Sequence, residues 1–226
     1  MNPSGFAVAI DGPVGVGKST VAQQLASNLH MTYIDTGAMY RAVALFNLRQ
    51  GTDRHDATAI AASLPHIEIA LTPAGAVLLN GEDVSHEIRN QLLAEYTSTI
   101  AAYAPVREKL TQQQKHLAAN AHVVMDGRDI ASYVLPWAQV KIYLDADVKI
   151  RAQRRYDELQ AKGQPADFAR VWEETLIRDE RDKNRAHAPL VRTQDAIYID
   201  TSNMSPGEML EAITCHVKNK LVRKDG

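Results

Sequence analysis

Cysteine is almost absent from this sequence, with Cys215 as the single example among 226 residues. One cysteine cannot form an internal disulfide, which favours a reducing compartment and a packing role for this side chain. Long apolar runs are also missing, since no stretch approaches the roughly 18 residues of a membrane span. The first residues, MNPSGFAVAIDG, lack the basic segment and long apolar core of a signal peptide. The sequence therefore predicts a cytoplasmic protein without membrane contact.

A strong excess of either charge is missing as well. The chain carries 25 Lys and Arg against 27 Asp and Glu, a formal net charge of −2. This balance predicts no general attraction to nucleic acid or to anionic membranes, so any anion site must be built locally from a few arginines. The eight histidines show no metal-ligand spacing. No coiled-coil seam is visible, and a monomer is expected.

Short apolar runs alternate with helical patterns along most of the chain. Strands separated by helices predict an α/β fold, with a five-stranded parallel sheet that is covered by helices. The predicted strands are 6–10, 31–34, 122–125, 140–144 and 196–199, and the predicted helices are 18–29, 37–49, 92–102, 105–119, 147–162, 168–184 and 206–222.

One segment, residues 66–88, breaks this alternation. It contains two β-rich runs, 67–71 and 76–79, with the turn-forming residues TPAG and NGED beside them. This pattern predicts a small antiparallel β insertion into a core made of residues 1–65 and 89–226.

A glycine-rich loop follows the first predicted strand. The stretch GPVGVGKS, residues 12–19, matches G-x-x-x-x-G-K-[ST] and stands between a strand and a helix. The glycines let the backbone N–H groups surround an anion, and the helix N-terminus adds its positive dipole. In this motif Lys18 bridges the outer phosphates of a nucleotide, and the Ser19 hydroxyl binds Mg²⁺. The predicted phosphate cradle is Gly12, Pro13, Val14, Gly15, Val16, Gly17, Lys18, Ser19 and Thr20.

Three further clusters of polar residues are candidates for the rest of a site. DTGAMYR (35–41) and DGRD (126–129) each follow a predicted strand, where open α/β sheets bind their ligands. The third, IRDERDKNRAHAPL (177–190), places three arginines at helical spacing on one face, with Asp182 beside them. The alternative interpretation is a solvated helix with i,i+4 ion pairs. That interpretation fits Arg151, Arg155, Glu158 and Lys162 in the preceding helix well.

Taken together, the motifs resemble those of the bacterial cytidylate kinases. IDGPVGVGKST, DTGAMYRAVAL, NGEDVSHEIR, DGRDI and RDERDKNRAHAPL stand in the order and spacing of that family, over about residues 6–217. The resemblance implies the fold of a P-loop nucleoside monophosphate kinase. It implies an enzyme that transfers the γ-phosphate of ATP to CMP or dCMP with Mg²⁺. It also implies that the 66–88 insertion lies on the acceptor side and that a short lid lies near residues 151–165.

The resemblance assigns three residues to the cytosine base, namely Ser98, Arg107 and Asp129. Their chemistry is suitable, because a carboxylate accepts from the N4 amino group and an arginine donates to the N3 and O2 acceptors. Thr36 also belongs to the acceptor site, at a position where the family often carries serine.

The resemblance implies roles for further charged residues. Arg178 and Asp182 correspond to a sugar-contacting pair. Arg41, Arg128 and Arg185 correspond to groups near the transferring phosphates, although Arg185 could instead orient the base. Arg154 is the candidate for a lid cation that closes over ATP and excludes water.

Two further carboxylates are candidates for roles beside the loop. Asp126 ends a predicted strand beside the cradle, which suits indirect coordination of Mg²⁺. Asp11 has two possible roles, either the same one or the capping of backbone N–H groups in the turn.

Rival functions make different demands on the sequence. A GTPase requires a guanine-reading N-K-x-D after a strand, and the sequence has none. A transport ATPase requires a signature loop that is missing. A different small-molecule kinase would share Lys18 and the lid but differ at Ser98, Arg107 and Asp129. A non-catalytic nucleotide sensor fits the loop alone and leaves the acceptor-side residues unexplained.

Overall fold

Short buried apolar segments form the strands in the computed structural model of the chain, which describes residues 5–72, 75–90 and 92–222. None of the helices in those ranges is long and apolar enough to cross a lipid bilayer. The strands are β1 Ala7–Asp11, β2 Thr32–Asp35, β3 Ile69–Leu71, β4 Val77–Leu79, β5 Glu82–Asp83, β6 Val123–Gly127, β7 Val140–Asp145 and β8 Ile197–Asp200. The helices are α1 Lys18–Asn28, α2 Thr36–Arg49, α3 Ala57–Ser63, α4 Leu92–Ile100, α5 Ala104–Ala118, α6 Val148–Ala161, α7 Phe168–Asn184 and α8 Pro206–Val222.

The main sheet has five parallel strands in the order β2-β6-β1-β7-β8, which confirms the predicted fold class. In the register of the central strands, Asp11 lies opposite Gly127 and Asp35 lies opposite Asp126. Because parallel strands end at the same edge, the glycine-rich loop and the segments after β2 and β6 emerge side by side.

The two faces of the sheet bury separate hydrophobic clusters. Residues along β1 alternate between them, because successive side chains of a strand point to opposite faces. Ala7 and Ala9 pack in the cluster that includes α2 and α5, whereas Val8 and Ile10 pack with α1 and α8. Covering both faces explains why β1 is buried along its whole length.

The insertion forms a three-stranded antiparallel sheet in the order β3-β4-β5. Two of its strands lie in the predicted β-rich runs, and the two-residue strand β5 is additional. Ile69, Val77 and Leu79 belong to the same buried cluster as the apolar side of α2. Arg49 at the end of α2 pairs with Glu82 at 2.7 Å and with Glu87 at 2.5 Å. The insertion therefore packs on the helix that carries Arg41.

Helix α3 and the turn after the DGRD segment are among the elements that have no counterpart in the sequence prediction. Helix α3 buries only Ile60, so it has no apolar stripe to reveal it, and it begins where Asp56 accepts from the Ala59 N–H at 2.9 Å. A single π-helical turn over Ile130–Val134 follows the DGRD segment. Hydrogen bonds to the end of β1 support this turn, and a local sequence pattern does not predict contacts between distant segments.

Candidate active site

The loop between β1 and α1 requires glycine at three positions. Gly12, Gly15 and Gly17 have φ angles of 152°, 81° and 92°, which other residues rarely adopt. Space is also short, since a Cβ at Gly12 would lie 2.1 Å from the Leu144 carbonyl oxygen, and one at Gly15 would lie 3.0 Å from that of Arg151. Helix α1 begins at Lys18, so its N-terminus faces the loop. The loop has the geometry of an anion cradle.

Lys18 is buried against the cradle, with 6% of its surface exposed. Its Nζ donates a hydrogen bond to the Pro13 carbonyl oxygen at 2.6 Å. Burial, followed by the nearby Arg128 guanidinium, lowers the pKa of Lys18 well below its ordinary value. A desolvated cation beside other cations gains most when an anion enters the site.

The first residues of α1 meet the end of β6. Ser19 Oγ donates to Asp126 Oδ2 at 2.9 Å, and the Tyr33 hydroxyl donates to Asp126 Oδ1 at 2.9 Å. Burial and the neighbouring Asp35 raise the pKa of Asp126 to about 6. In the described ranges, no group of three or more His, Cys, Asp or Glu side chains could hold a metal alone. The oxygens of Ser19 and Asp126 suit Mg²⁺, which binds through one or two protein oxygens plus phosphate oxygens and water.

Thr36 lies at the start of α2 and is buried. Its Oγ1 donates to the backbone carbonyl of Asp126 at 2.6 Å. The hydroxyl proton is therefore used within the protein, and the oxygen's acceptor capacity is what a ligand would meet.

Asp11 caps a turn, which is one of its two possible roles. Its Oδ1 accepts from the Ile130 N–H at 2.9 Å, and its Oδ2 accepts from the Ala131 N–H at 2.7 Å. The capped turn is the π-helical turn after Asp129, however, and not the glycine-rich loop. Burial raises the pKa of Asp11 to about 7. The end of β1 thereby fixes the backbone that follows Asp129.

Asp129 lies between two arginines from distant elements. Its Oδ2 accepts from Arg107 Nη2 on α5, and its Oδ1 accepts from Arg185 Nη2 at 3.0 Å, just past α7. The Arg107 guanidinium also lies 5.7 Å from the centre of the Tyr40 ring. Sequence reasoning missed Tyr40, which had only its place in the DTGAMYR motif as a signal. Arg107, Asp129 and Arg185 form a buried, oriented set of donors and acceptors.

A second group of charged residues lies near Lys18, and its arginines add to the effect of burial in lowering the pKa of that lysine. Asp182 Oδ2 accepts from Arg128 Nε at 2.8 Å, so its partner is Arg128 and not Arg178 as the i,i+4 spacing suggests. Burial and the Arg128 charge lower the pKa of Arg178 to about 10. Burial also lowers the pKa of Arg41, with Arg155 and Arg128 adding to the effect. In the part of the chain that the structure describes, the guanidinium groups of Arg41 and Arg178 have no hydrogen bond or ion pair to the protein. Such arginines suit a ligand that carries negative charge.

Ser98 lies on α4 and faces α7. Its Oγ accepts from Arg181 Nη1 at 2.9 Å. Arg181 therefore has a defined partner within the arginine-rich segment, and the Ser98 hydroxyl keeps its proton available for donation elsewhere.

Arg154 is not brought together with the acceptor-side arginines. Its Nη2 donates to the carbonyl oxygens of Thr201 at 2.6 Å and Met204 at 3.4 Å, in the loop after β8. There it lines a cleft of about 100 Å³ together with Gly17 and Thr20. Sequence reasoning thus identified a residue close to the cradle, whose side-chain hydrogen bonds are with the loop after β8.

Two neighbours of Arg154 differ from their predicted roles. Arg155 pairs with Glu158 at 2.8 Å, as its spacing predicts, but its charge also acts on Arg41 and Arg178. The prediction that Arg151 is a solvated helical residue is wrong. It is 5% exposed and pairs with Asp179 of α7 at 2.6 Å. Charge spacing along one helix cannot distinguish a solvated face from a face that packs on another helix.

Known proteins resemble the chain over nearly its full length. The sequence profile of the cytidylate kinase family matches residues 8–219. A cytidylate kinase of Anoxybacillus flavithermus is 44% identical, covering 96% of this chain and 97% of that protein. One from Corynebacterium diphtheriae is 44% identical over 99% of both chains. Among solved structures, a gluconokinase from Sinorhizobium meliloti 1021 matches with a TM-score of 0.51 at 11% identity, over 98% of both chains. At that identity, the structural match concerns the fold alone.

Proposed function

The chain belongs to the cytidylate kinase family, and from this membership we propose that it transfers the γ-phosphate of ATP to CMP or dCMP, which yields ADP and CDP or dCDP. The observation that carries the proposal is the position of Arg41 and Arg178. Both are half-buried, and their guanidinium groups have no partner in the described part of the chain. Burial and the Arg178 charge lower the pKa of the cradle lysine, and burial and the Arg41 charge lower the pKa of Arg178. Two phosphorylated ligands that react with one another need such a cluster.

The donor phosphates are proposed to occupy the cradle Gly12–Thr20. Lys18 would exchange its hydrogen bond with the Pro13 carbonyl for one with the outer phosphates. Mg²⁺ is proposed to bind Ser19 directly and Asp126 through water. When bound, it would neutralise part of the phosphate charge.

The acceptor base is proposed to bind at Asp129, Arg107 and Ser98. The Asp129 carboxylate would accept from the cytosine N4 amino group, which uracil lacks. Two arginines hold this carboxylate, so it is oriented before the base arrives. Ser98 offers a hydroxyl proton because Arg181 donates to its oxygen. Thr36 completes this side of the site through its oxygen.

The acceptor phosphate and sugar are proposed to bind among the α7 residues. Arg41, Arg128 and Arg185 would contact the phosphate, while Arg178 and Asp182 would contact the sugar hydroxyls. A phosphate oxygen of the acceptor is already anionic, so it needs no general base to attack in line. The contribution of the protein would be positioning and charge stabilisation, without a covalent intermediate.

Residues 151–165 are proposed to act as a lid over ATP, with Arg154 at the cleft beside Gly17 and Thr20. Closure would exclude water and limit ATP hydrolysis. The 66–88 insertion is assigned to the acceptor side, since it packs on the helix that carries Arg41. We also predict that the protein is a cytoplasmic monomer and that it binds neither nucleic acid nor membranes.

ADP formation from MgATP, with CMP, dCMP, UMP and AMP offered separately, tests the proposed function. We expect turnover with CMP and dCMP, little with AMP, and none in a Lys18→Ala variant. Arg170→Met is the matched control, because Arg170 is an exposed α7 residue paired with Glu174. A preference for AMP, or ADP release that does not depend on the acceptor, would contradict the assignment.

A further inference from the structure

Arg151 on α6 connects the cradle to the helix that carries the acceptor-side charges. Its guanidinium is buried and makes three contacts in different directions. Nη1 donates to the Val14 carbonyl oxygen at 3.1 Å, and Nε donates to that of Ala146 at 2.9 Å. Nη2 pairs with Asp179 Oδ2 at 2.6 Å. No other arginine in the described ranges donates to a carbonyl of the cradle.

The bond to Val14 determines the orientation of a peptide group. The described chain contains no cis peptide, and in a trans peptide the C=O and N–H groups point in opposite directions. Arg151 holds the Val14 oxygen towards α6, so the Gly15 N–H of the same peptide points away from α6. Gly15 itself packs on the Arg151 backbone and has no room for a side chain. Both the guanidinium and the backbone of Arg151 therefore shape this part of the cradle.

The pair with Asp179 extends this connection to α7. Asp179 follows Arg178 directly and precedes Asp182 by three residues. It is 6% exposed, and its Oδ1 has no hydrogen-bond partner among the described residues. Within those ranges, Asp179 forms its ion pair with Arg151. A displacement of α7 would therefore be transmitted to the Val14–Gly15 peptide through one guanidinium.

We propose that Arg151 is a positioning residue. It aims the Gly15 N–H at the donor phosphates and, through Asp179, keeps the cradle in register with the acceptor helix. This inference rests on the proposed function, in that donor phosphates occupy the loop. Neither the Arg151 side chain nor the Asp179 side chain was assigned a binding role by the family resemblance, although Arg151 is the first residue of the proposed lid.

ADP binding measured by calorimetry without acceptor tests this inference, together with hydrogen exchange at the Gly15 amide of the nucleotide-free protein. Arg151→Met is expected to weaken ADP binding about tenfold, the value of one hydrogen bond that involves a charged group. Faster exchange at Gly15 is expected as well, because its peptide is no longer held. CMP binding should change much less. Arg151→Lys, which keeps the charge but not the planar fork, should retain the melting temperature and still lose ADP affinity.

A double variant separates positioning from stability. Arg151→Met combined with Asp179→Leu removes both buried charges, so it should melt higher than Arg151→Met alone. Its ADP affinity should stay low, and Arg170→Met should match the wild type. Wild-type ADP affinity in the double variant would overturn the proposal, as would equal losses for ADP and CMP that follow the folded fraction. If the wild type failed to phosphorylate CMP, the acceptor assignment would fail, but the comparison of ADP binding would still be valid.

Discussion

Oδ1 of Asp129 accepts a hydrogen bond from Nη2 of Arg185 at 3.0 Å. The two residues are 56 positions apart, and their contact joins the segment after β6 to the end of α7. Arg107 holds the other carboxylate oxygen. The carboxylate is thus fixed in orientation, which suits it to accept from an amino group of a ligand.

Replacing Asp129 with asparagine should change the choice of base. The amide presents donors where the cytosine amino group needs an acceptor, so kcat/KM for CMP should fall about 100-fold, while UMP is affected less. ADP release with each acceptor measures the change, and ADP binding should stay within about twofold of wild type. Asp195→Asn is the control, since that exposed carboxylate pairs with Lys141, away from the proposed site residues. An unaltered preference for CMP over UMP would refute the base-reading role.

Replacing Lys18 with methionine should separate activity from stability. Removal of a preorganised cation should lower kcat by at least about 100-fold. The nucleotide-free protein should be no less stable, because burial already disfavours the charged form of this lysine. Urea unfolding gives the stability and ADP release gives the activity, with Lys218→Met, at an exposed position of α8, as control. Loss of activity through unfolding would show that Lys18 is mainly structural.

Arg178→Met should act on the acceptor and spare the donor. Arg178 is desolvated beside Arg128, so its loss should relieve charge repulsion in the ligand-free protein. It should also weaken CMP binding by about tenfold. We expect a higher KM for CMP and unchanged ADP binding. Arg170→Met on the same helix is the control and should change neither quantity. A variant that lost ADP affinity instead would move Arg178 to the donor side.

Asp11 should make stability depend on pH. Burial raises its pKa from 3.8 to about 7, so over this window the folded protein binds the proton more tightly than the unfolded chain. The free energy of unfolding should therefore fall as pH rises, by up to about 1.4 kcal/mol per pH unit from this group. Urea titrations between about pH 4 and 7 measure the slope, and Asp11→Asn should remove this contribution. Identical slopes in the variant and the wild type would show that Asp11 does not titrate there.

Local sequence patterns were sufficient for most of the architecture. Apolar runs and helical periodicity predicted all five strands of the parallel sheet, and the glycine-rich loop stands where G-x-x-x-x-G-K-[ST] placed it. These features depend on interactions between near neighbours in the chain, which spacing records directly. Helix α3 was missed because only Ile60 of it is buried.

The sequence by itself determined the five strands of the parallel sheet, all the described helices except α3, the glycine-rich loop and the family, since each depends on residue types at fixed spacing. Only the tertiary structure decided which charges meet. Asp182 pairs with Arg128 and not with Arg178, Arg151 is buried on Asp179, and Arg154 lies on the loop after β8. The physical reason is that a long charged side chain finds its partner across packed elements, and the sequence of one helix does not say which face another element covers.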